Sequence, residues 1–381
     1  MTVAAEIPDQ IREATEHQPA ARASLAAGLD SPAHAYLLVG PSGSGKRAAA
    51  RAFAAELLTA GAADVEDSRR RALADPSPHP DLVWLVPEGT QHLVDEVRGR
   101  VINAAAYRPF EADRRVFVIE AADALADESQ NALLKTLEEP APFVHLLLIS
   151  AEPEALLETV RSRCQPVRFA PLADQTVEER LGELGLGETA SERRAAARLA
   201  GGDADRAAFL LTEGGRELRA AAQRCVHAAR RGELGGTPWT ALLEAAEGAG
   251  SRARDEAEDR LAELRVESGE EAAPRGRSRQ ADEGLRRVAR RARTGALDLG
   301  LALIAASLRD LAAVAEGADD LVLNCDRVEE IRSDAAGLDG RRARRGAELA
   351  IDTRGRLQVN VAEELALEAL VFRLEALLAG A

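Results

Sequence analysis

The stretch 36-YLLVGPSGSGKRAAARAFAAEL-57 passes from an apolar run through a glycine-rich turn into an alanine-rich segment. Residues 36–39 read as a buried strand, and the residues after Lys46 read as a helix. Between them Gly40, Ser42, Gly43, Ser44, Gly45 and Lys46 fill the frame G-x-x-x-x-G-K. That frame binds phosphate when it joins a strand to a helix, as it does here. Its glycines let successive backbone N–H groups turn toward an anion, and the helix N-terminus adds about half a positive charge. Lys46 would reach the outer phosphates. The plain alternative is a glycine-rich turn capping a strand, and the flanks argue against it.

Arg47 departs from the pattern. A Ser or Thr hydroxyl normally stands there and coordinates the Mg²⁺ that bridges the β- and γ-phosphates. A guanidinium cannot ligate a metal and repels one. Phosphate binding survives this change; metal-assisted cleavage does not follow. Lys46 and Lys135 are the only two lysines among 49 basic residues. A compact ammonium fits where a planar fork does not, so retention of Lys46 supports the phosphate reading, with chance survival as the alternative.

Composition bounds the rest. At 381 residues, 46% of them hydrophobic, the chain has room for two or three domains with real cores. No apolar run approaches the ~18 residues of a membrane span, and the N-terminus lacks a secretory pattern. A net charge of −15 argues against gripping DNA over a large surface unaided. Cys164, Cys225 and Cys325 lie far apart, which fits reduced thiols in a cytoplasm and neither a disulfide framework nor a zinc site.

From residue 36 to about 172 the pattern alternates between strands and helices, with candidate strands at 36–39, 81–86, 116–120, 144–150 and 166–172. Most are continuously apolar, as strands buried on both faces should be. Helices between them imply parallel crossovers and a doubly wound α/β domain over 1–172. Beyond it the pattern is helical: a short unit at 173–212, then a larger helical region at 213–381. Residues 266–284, charged and without periodicity, read as a mobile loop. The stripes at 297–315 and 361–378 read as bundle packing.

The second informative piece is 116-VFVIEAADALADESQNALLKTLEEP-140. A strand ending in an acid after a phosphate loop is where metal-holding and water-activating carboxylates belong. Glu120 is followed by Ala121, so the second acid of the expected pair is missing, and Asp123 lies beyond the strand end. Asp127 with Gln130 resembles a capping box, and Lys135 is spaced to pair with Glu138 and Glu139. The third piece is 161-RSRC-164, where Arg161 reads as a solvated arginine.

The loop GPSGSGK, the block NALLKTLEEP at 131–140 and the triplet Ser162-Arg163-Cys164 together resemble the clamp-loader branch of the AAA+ ATPases. The lead-in at 34–46, the HPDL at 79–82 and the closing helix at 360–374 look like its bacterial delta-prime members. The likeness covers nearly the whole chain, and NALLKTLEEP joined to a downstream SRC is its most specific part. It implies an AAA+ P-loop domain (1–172), a helical lid (173–212) and a helical collar (213–381). It also implies a ring with motor subunits of the gamma/tau type and a delta subunit, which places a sliding clamp on primed DNA. Arg163, flanked by Ser162 and Cys164, would be an arginine finger reaching the ATP of a neighbouring subunit. Arg206 matches the lid arginine that senses nucleotide, a surface helix position being the alternative.

The motor members of that family carry a hydroxyl where Arg47 stands and an acid pair where Glu120-Ala121 stands. Many members also carry zinc-binding cysteines between the first helix and the HPDL strand, and 59–78 has none. The resemblance therefore implies a non-hydrolysing component of a polymerase III assembly. ATP or ADP could be held at Gly40–Arg47 and Arg206 without cleavage, and zinc is not implied. A hydrolysing motor subunit is the first alternative, and Arg47 and Ala121 discriminate against it. An unrelated P-loop kinase is the second, and no substrate site for one is legible.

Overall fold

The computed structural model describes residues 7–87, 92–268, 275–357 and 361–379. Contacts divide the chain into two compact units, Met1–Leu172 and Ala173–Ala381.

In the first unit two helices, α1 (Asp9–Ala14) and α2 (Pro19–Asp30), precede β1 (Ala35–Val39). The chain continues through α3 (Lys46–Leu58) and α4 (Val65–Leu73) to β2 (Leu82–Leu85). A short α5 (Val94–Glu96) runs on as a π-helical stretch, Val97–Asn103, before β3 (Arg115–Ile119). Then follow α6 (Asp127–Glu138), β4 (Val144–Ser150), α7 (Glu158–Arg161) and β5 (Gln165–Arg168). The five strands pair in the order β2-β3-β4-β1-β5, every pair parallel. This is a parallel α/β architecture with helices packed on both faces of the sheet.

Alternate residues of the central strands face opposite layers of helix, which is why these strands are largely apolar on both faces. Tyr36, Leu38, Val118 and Leu147 pack with Phe53 and Leu57 of α3. Leu37, Phe117, Ile119 and Leu148 pack with Val101, Leu133 and Val160 on the other side. Each such side chain contributes about 1.5–3 kcal/mol on burial. The HPDL residues serve this unit structurally. Asp81 is fully buried, and its carboxylate accepts the backbone N–H groups of Phe110, Glu111 and Ala112 at 2.7–3.1 Å. The His79 ring meets Ser68 Oγ at 2.9 Å.

The described residues of the second unit are helical or irregular: α8 (Asp174–Glu183), α9 (Ala190–Ala200), α10 (Ala204–Leu210), α11 (Glu213–Arg231), α12 (Thr240–Ser268), α13 (Arg275–Ala315), α14 (Val328–Ala335), α15 (Gly340–Leu357) and α16 (Glu363–Leu378). The long α13 packs against α11, α12 and α15. Side-chain caps start three of these helices, with Thr189, Asp203 and Thr212 accepting from the N–H three residues on. Arg198 of α9 donates to the Val322 carbonyl at 2.7 Å. Residues 266–268 and 275–284, expected in a loop, belong instead to α12 and α13, and 269–274 lie outside the described residues. Glu, Ala, Arg and Gln dominate that stretch, and each has good helix propensity even where no apolar stripe announces a helix.

Candidate functional site

The phosphate loop leaves the C-terminal end of β1 and enters α3 at Lys46. Gly40 lies so close to the next strand's exit that a Cβ there would come 2.3 Å from the Phe169 carbonyl oxygen. Gly45 caps α3 in the left-handed region, φ 94°, where glycine costs least. Gln18 braces the loop from behind. Its amide donates to the carbonyls of Ser44 at 3.1 Å and Ala170 at 2.7 Å, and its oxygen accepts from the Ala170 N–H at 2.9 Å. Lys46, buried, donates to the carbonyls of Gly40 and Pro41 at 2.5 Å each, with Ser44 Oγ at 3.5 Å. Ser42 is exposed at the tip.

Arg47 turns away from the loop. Its Nε donates to Glu120 Oε2 at 3.1 Å and its Nη2 lies 2.9 Å from Asp75 Oδ2. The same Glu120 oxygen accepts from the Trp84 indole N–H at 2.9 Å. One turn along α3, Arg51 pairs with Asp75 at 3.0 Å and lies 4.3 Å over the Trp84 ring. Burial holds the Arg51 guanidinium below its ordinary pKa, with Asp75 opposing. Arg47, Arg51, Asp75 and Trp84 line a cavity of about 430 Å³ with Arg100. The strand-end carboxylate that would face a metal thus already faces a guanidinium and an indole. Mg²⁺ wants near-octahedral oxygen ligands, and the hydroxyl that would supply one is replaced by Arg47.

The neighbouring positions are also committed. Ala121 is held at φ 50°, a left-handed conformation that costs an alanine about 1–2 kcal/mol. Asp123 accepts the Ala151 N–H at 3.0 Å, a turn-bracing role. His92 Nε2 donates to the Glu120 carbonyl at 2.7 Å. Trp84, Asp75, Arg51 and Gln18 escaped the sequence reading; the i, i+4 spacing of Arg47 and Arg51 on one helix face was the available signal.

The 131–140 block behaves differently from its local pattern. No capping box forms, because Ala126 occupies the N-cap and Asp127 is already helical. Gln130 is spent on tertiary contacts, donating to the carbonyls of Leu125 and Ala155 and accepting from the Leu157 N–H. Glu138 pairs with Arg163 at 2.6 Å, not with Lys135. The Arg163 Nη1 donates to the Thr159 carbonyl at 2.8 Å, and Ser162 Oγ to the same oxygen at 3.3 Å. Cys164 is buried, and burial pushes its thiol up to about 12. Arg161, expected in solvent, is partly buried.

Residues 20–173 match a protein-family model described as DNA polymerase III, delta subunit. The chain is 43% identical over 140 residues to the DNA polymerase III subunit delta' of Pseudomonas aeruginosa, covering 35% of this chain and 42% of that one. It is 33% identical over 156 residues to the subunit delta' of Bacillus subtilis, covering 40% and 47%. To the Bacillus subtilis subunit tau it is 30% identical over 153 residues, covering 40% and 27%. The chain thus spans less than half the length of the curated relatives it matches. Residues 20–173 thus resemble part of a DNA polymerase III delta-prime subunit.

Within the first unit the two sets of site residues lie at opposite ends of the sheet. Tyr36 of β1 pairs with Gln165 of β5, and Val39 with Arg168. The loop follows Val39, whereas Arg163 precedes Gln165. At ~3.3 Å per residue the two are separated by at least ~13 Å along the strands. Arg206 is in the other unit, on α10, where its backbone N–H bonds Asp203 at 2.9 Å and its guanidinium stands 3.8 Å from the same carboxylate. No group of three or more His, Cys, Asp or Glu side chains able to hold a metal occurs among the described residues, and no described helix is long and apolar enough to cross a membrane.

Proposed function

We propose that this chain is a non-hydrolysing delta-prime subunit of a bacterial DNA polymerase III clamp loader. It works in the cytoplasm, in a hetero-oligomeric ring with gamma/tau-type motor subunits and a delta subunit, and helps place a sliding clamp on primed DNA. Its own loop holds ATP or ADP, if any nucleotide, without cleaving it. Arg163 serves in trans, on the ATP of a neighbouring motor subunit. The observation that carries this reading is the placement of Arg163 at the sheet end remote from its own phosphate loop, where it cannot serve that loop. The Arg47–Glu120 pair supports the non-hydrolysing part. Exposed Leu365 and Phe372, one helical face of α16, support ring assembly through the C-terminal helices.

Similarity to a tau subunit favours a second reading, a hydrolysing motor. Arg47 and Ala121 weigh against it. The test is a ring rebuilt with Arg163 variants. An arginine supplied in trans is worth on the order of 10³–10⁵ in rate at the site it serves. Bulk ATPase should therefore fall in part and clamp loading more, while the ring still assembles. Arg163→Lys should fail nearly as badly as Arg163→Ala, since an ammonium cannot reproduce the planar fork. Full activity with Arg163→Ala would remove the reading of this residue.

A further inference from the structure

A finger that works in trans must present its guanidinium in a set direction before the neighbour's phosphate arrives. Arg163 is a surface residue with a long, rotamer-rich side chain, and nothing in the SRC triplet alone would orient it. The structure supplies two anchors. Thr159, one helical turn back on α7, offers its carbonyl oxygen to Nη1 at 2.8 Å. Glu138, the last residue of α6, offers Oε1 to Nη2 at 2.6 Å. The anchors come from two different elements, so together they fix both the position and the plane of the guanidinium. They use two of its five N–H donors and leave three for an incoming phosphate.

We infer that Glu138 is a positioning residue for Arg163, holding the guanidinium in the orientation from which it meets the neighbouring subunit's ATP. This rests on the in-trans reading of Arg163 above. The pair is about half exposed, with side chains 35% and 48% accessible, so it adds little to folding. Its effect lies in geometry. Glu138 needs an acceptor oxygen for this and not its charge, which separates positioning from electrostatic shielding of the finger. Lys135, one turn earlier on α6, is spaced to compete for Glu138, and the folded chain gives the carboxylate to Arg163.

The experiment rebuilds the ring with partner subunits, clamp, primed DNA and ATP, and measures steady-state ATPase for wild type, Arg163→Ala, Glu138→Ala and Glu138→Gln. The wild-type rate minus the Arg163→Ala rate defines the Arg163-dependent portion. Glu138→Ala should lower the kcat of that portion about tenfold, short of the ~10²-fold that a 1 Å misplacement can cost. The KM for ATP should stay within about twofold, and Glu138→Gln should stay within about threefold of wild type in kcat. Should Glu138→Ala fail to assemble, Glu138→Met, similar in size but without the acceptor, takes its place. Full Arg163-dependent activity in the variant without an acceptor overturns the inference. So does an equal loss in the Gln and Ala variants, which would assign the effect to charge, or a rise in both, which would make Glu138 a shield. An Arg163→Ala ring at the wild-type rate sinks the in-trans reading itself, whereas loss there with an unaffected Glu138→Ala sinks only the positioning role.

Discussion

The Nε of Arg47 donates to Oε2 of Glu120 at 3.1 Å, joining the residue after the phosphate loop to the residue at the end of β3. In a hydrolysing P-loop domain the space between these two positions belongs to a metal ion and its ligands. Here a guanidinium, paired with Glu120 and Asp75, stands where the hydroxyl ligand would be.

The isolated chain should therefore show no Mg²⁺-dependent ATP turnover. Arg47→Thr should not restore it, because Ala121 still leaves no second carboxylate to activate water. Phosphate release measured with and without Mg²⁺ decides the matter, and turnover that disappears with Lys46→Ala would refute the assignment.

Asp81 holds three backbone N–H groups in a fully buried position. Asp81→Ala strands all three, and at ~1–3 kcal/mol per orphaned donor the loss should be on the order of 3 kcal/mol or more. Asp81→Asn keeps an acceptor oxygen and should recover part of it. Urea unfolding followed through Trp84, in a Trp239→Phe background, reads the first unit alone. A midpoint unchanged in Asp81→Ala would show that water satisfies those donors.

Burial pushes the thiols of Cys164 and Cys225 up to about 12. At pH 8 each is a thiolate only about one part in 10⁴ of the time, and the thiolate is the reactive form. A disulfide reagent should modify Cys325, the partly exposed one, first, and the other two only on unfolding. Rapid native reaction of all three would contradict the packing around β5 and α11.

His79 and His145 both sit below their ordinary 6.5, chiefly because burial disfavours the charged ring; Glu111 opposes this at His79, and the Ala33 carbonyl at His145. Unfolding lets both rings take up protons near 6.5, while the folded chain resists until lower pH. Their contribution is thus fully present above about 6.5 and is lost as pH falls from there toward the folded-state values. The urea midpoint of the first unit should drop between pH 7.5 and 5.5, and His145→Gln should flatten part of that slope. A midpoint that holds steady or rises on acidification would count against it.

The fold of the first unit was legible because its information is local. Runs such as 144-VHLLLIS-150 are mostly apolar and buried throughout, and the strand they form spans those same residues, Val144–Ser150. Local reading failed where local chemistry offered equal choices. Asp127 and Gln130 have capping-box spacing, yet the helix starts a residue away and Gln130 serves the 155–157 turn. Residues 275–284 lack a stripe, yet Arg, Gln, Ala and Glu among them favour helix, and the segment extends α13.

By itself the sequence determined the phosphate-loop frame, the absence of a hydroxyl at Arg47 and the absence of an acid at Ala121. Those are facts of residue type at fixed spacing, and backbone sterics between neighbours translate them directly into strand, turn and helix. Only the tertiary structure decided the partners: Glu120 and Asp75 for Arg47, Trp84 for Glu120, Glu138 for Arg163. Each pair joins residues far apart in the chain, and their meeting depends on the strand order β2-β3-β4-β1-β5, which sets Trp84 of β2 within reach of Glu120, just past the end of β3. An arginine's charge is written in the sequence, but the carboxylate it reaches depends on how the helices close over the sheet, because Coulomb attraction and hydrogen bonding act only across the few ångströms that folding creates.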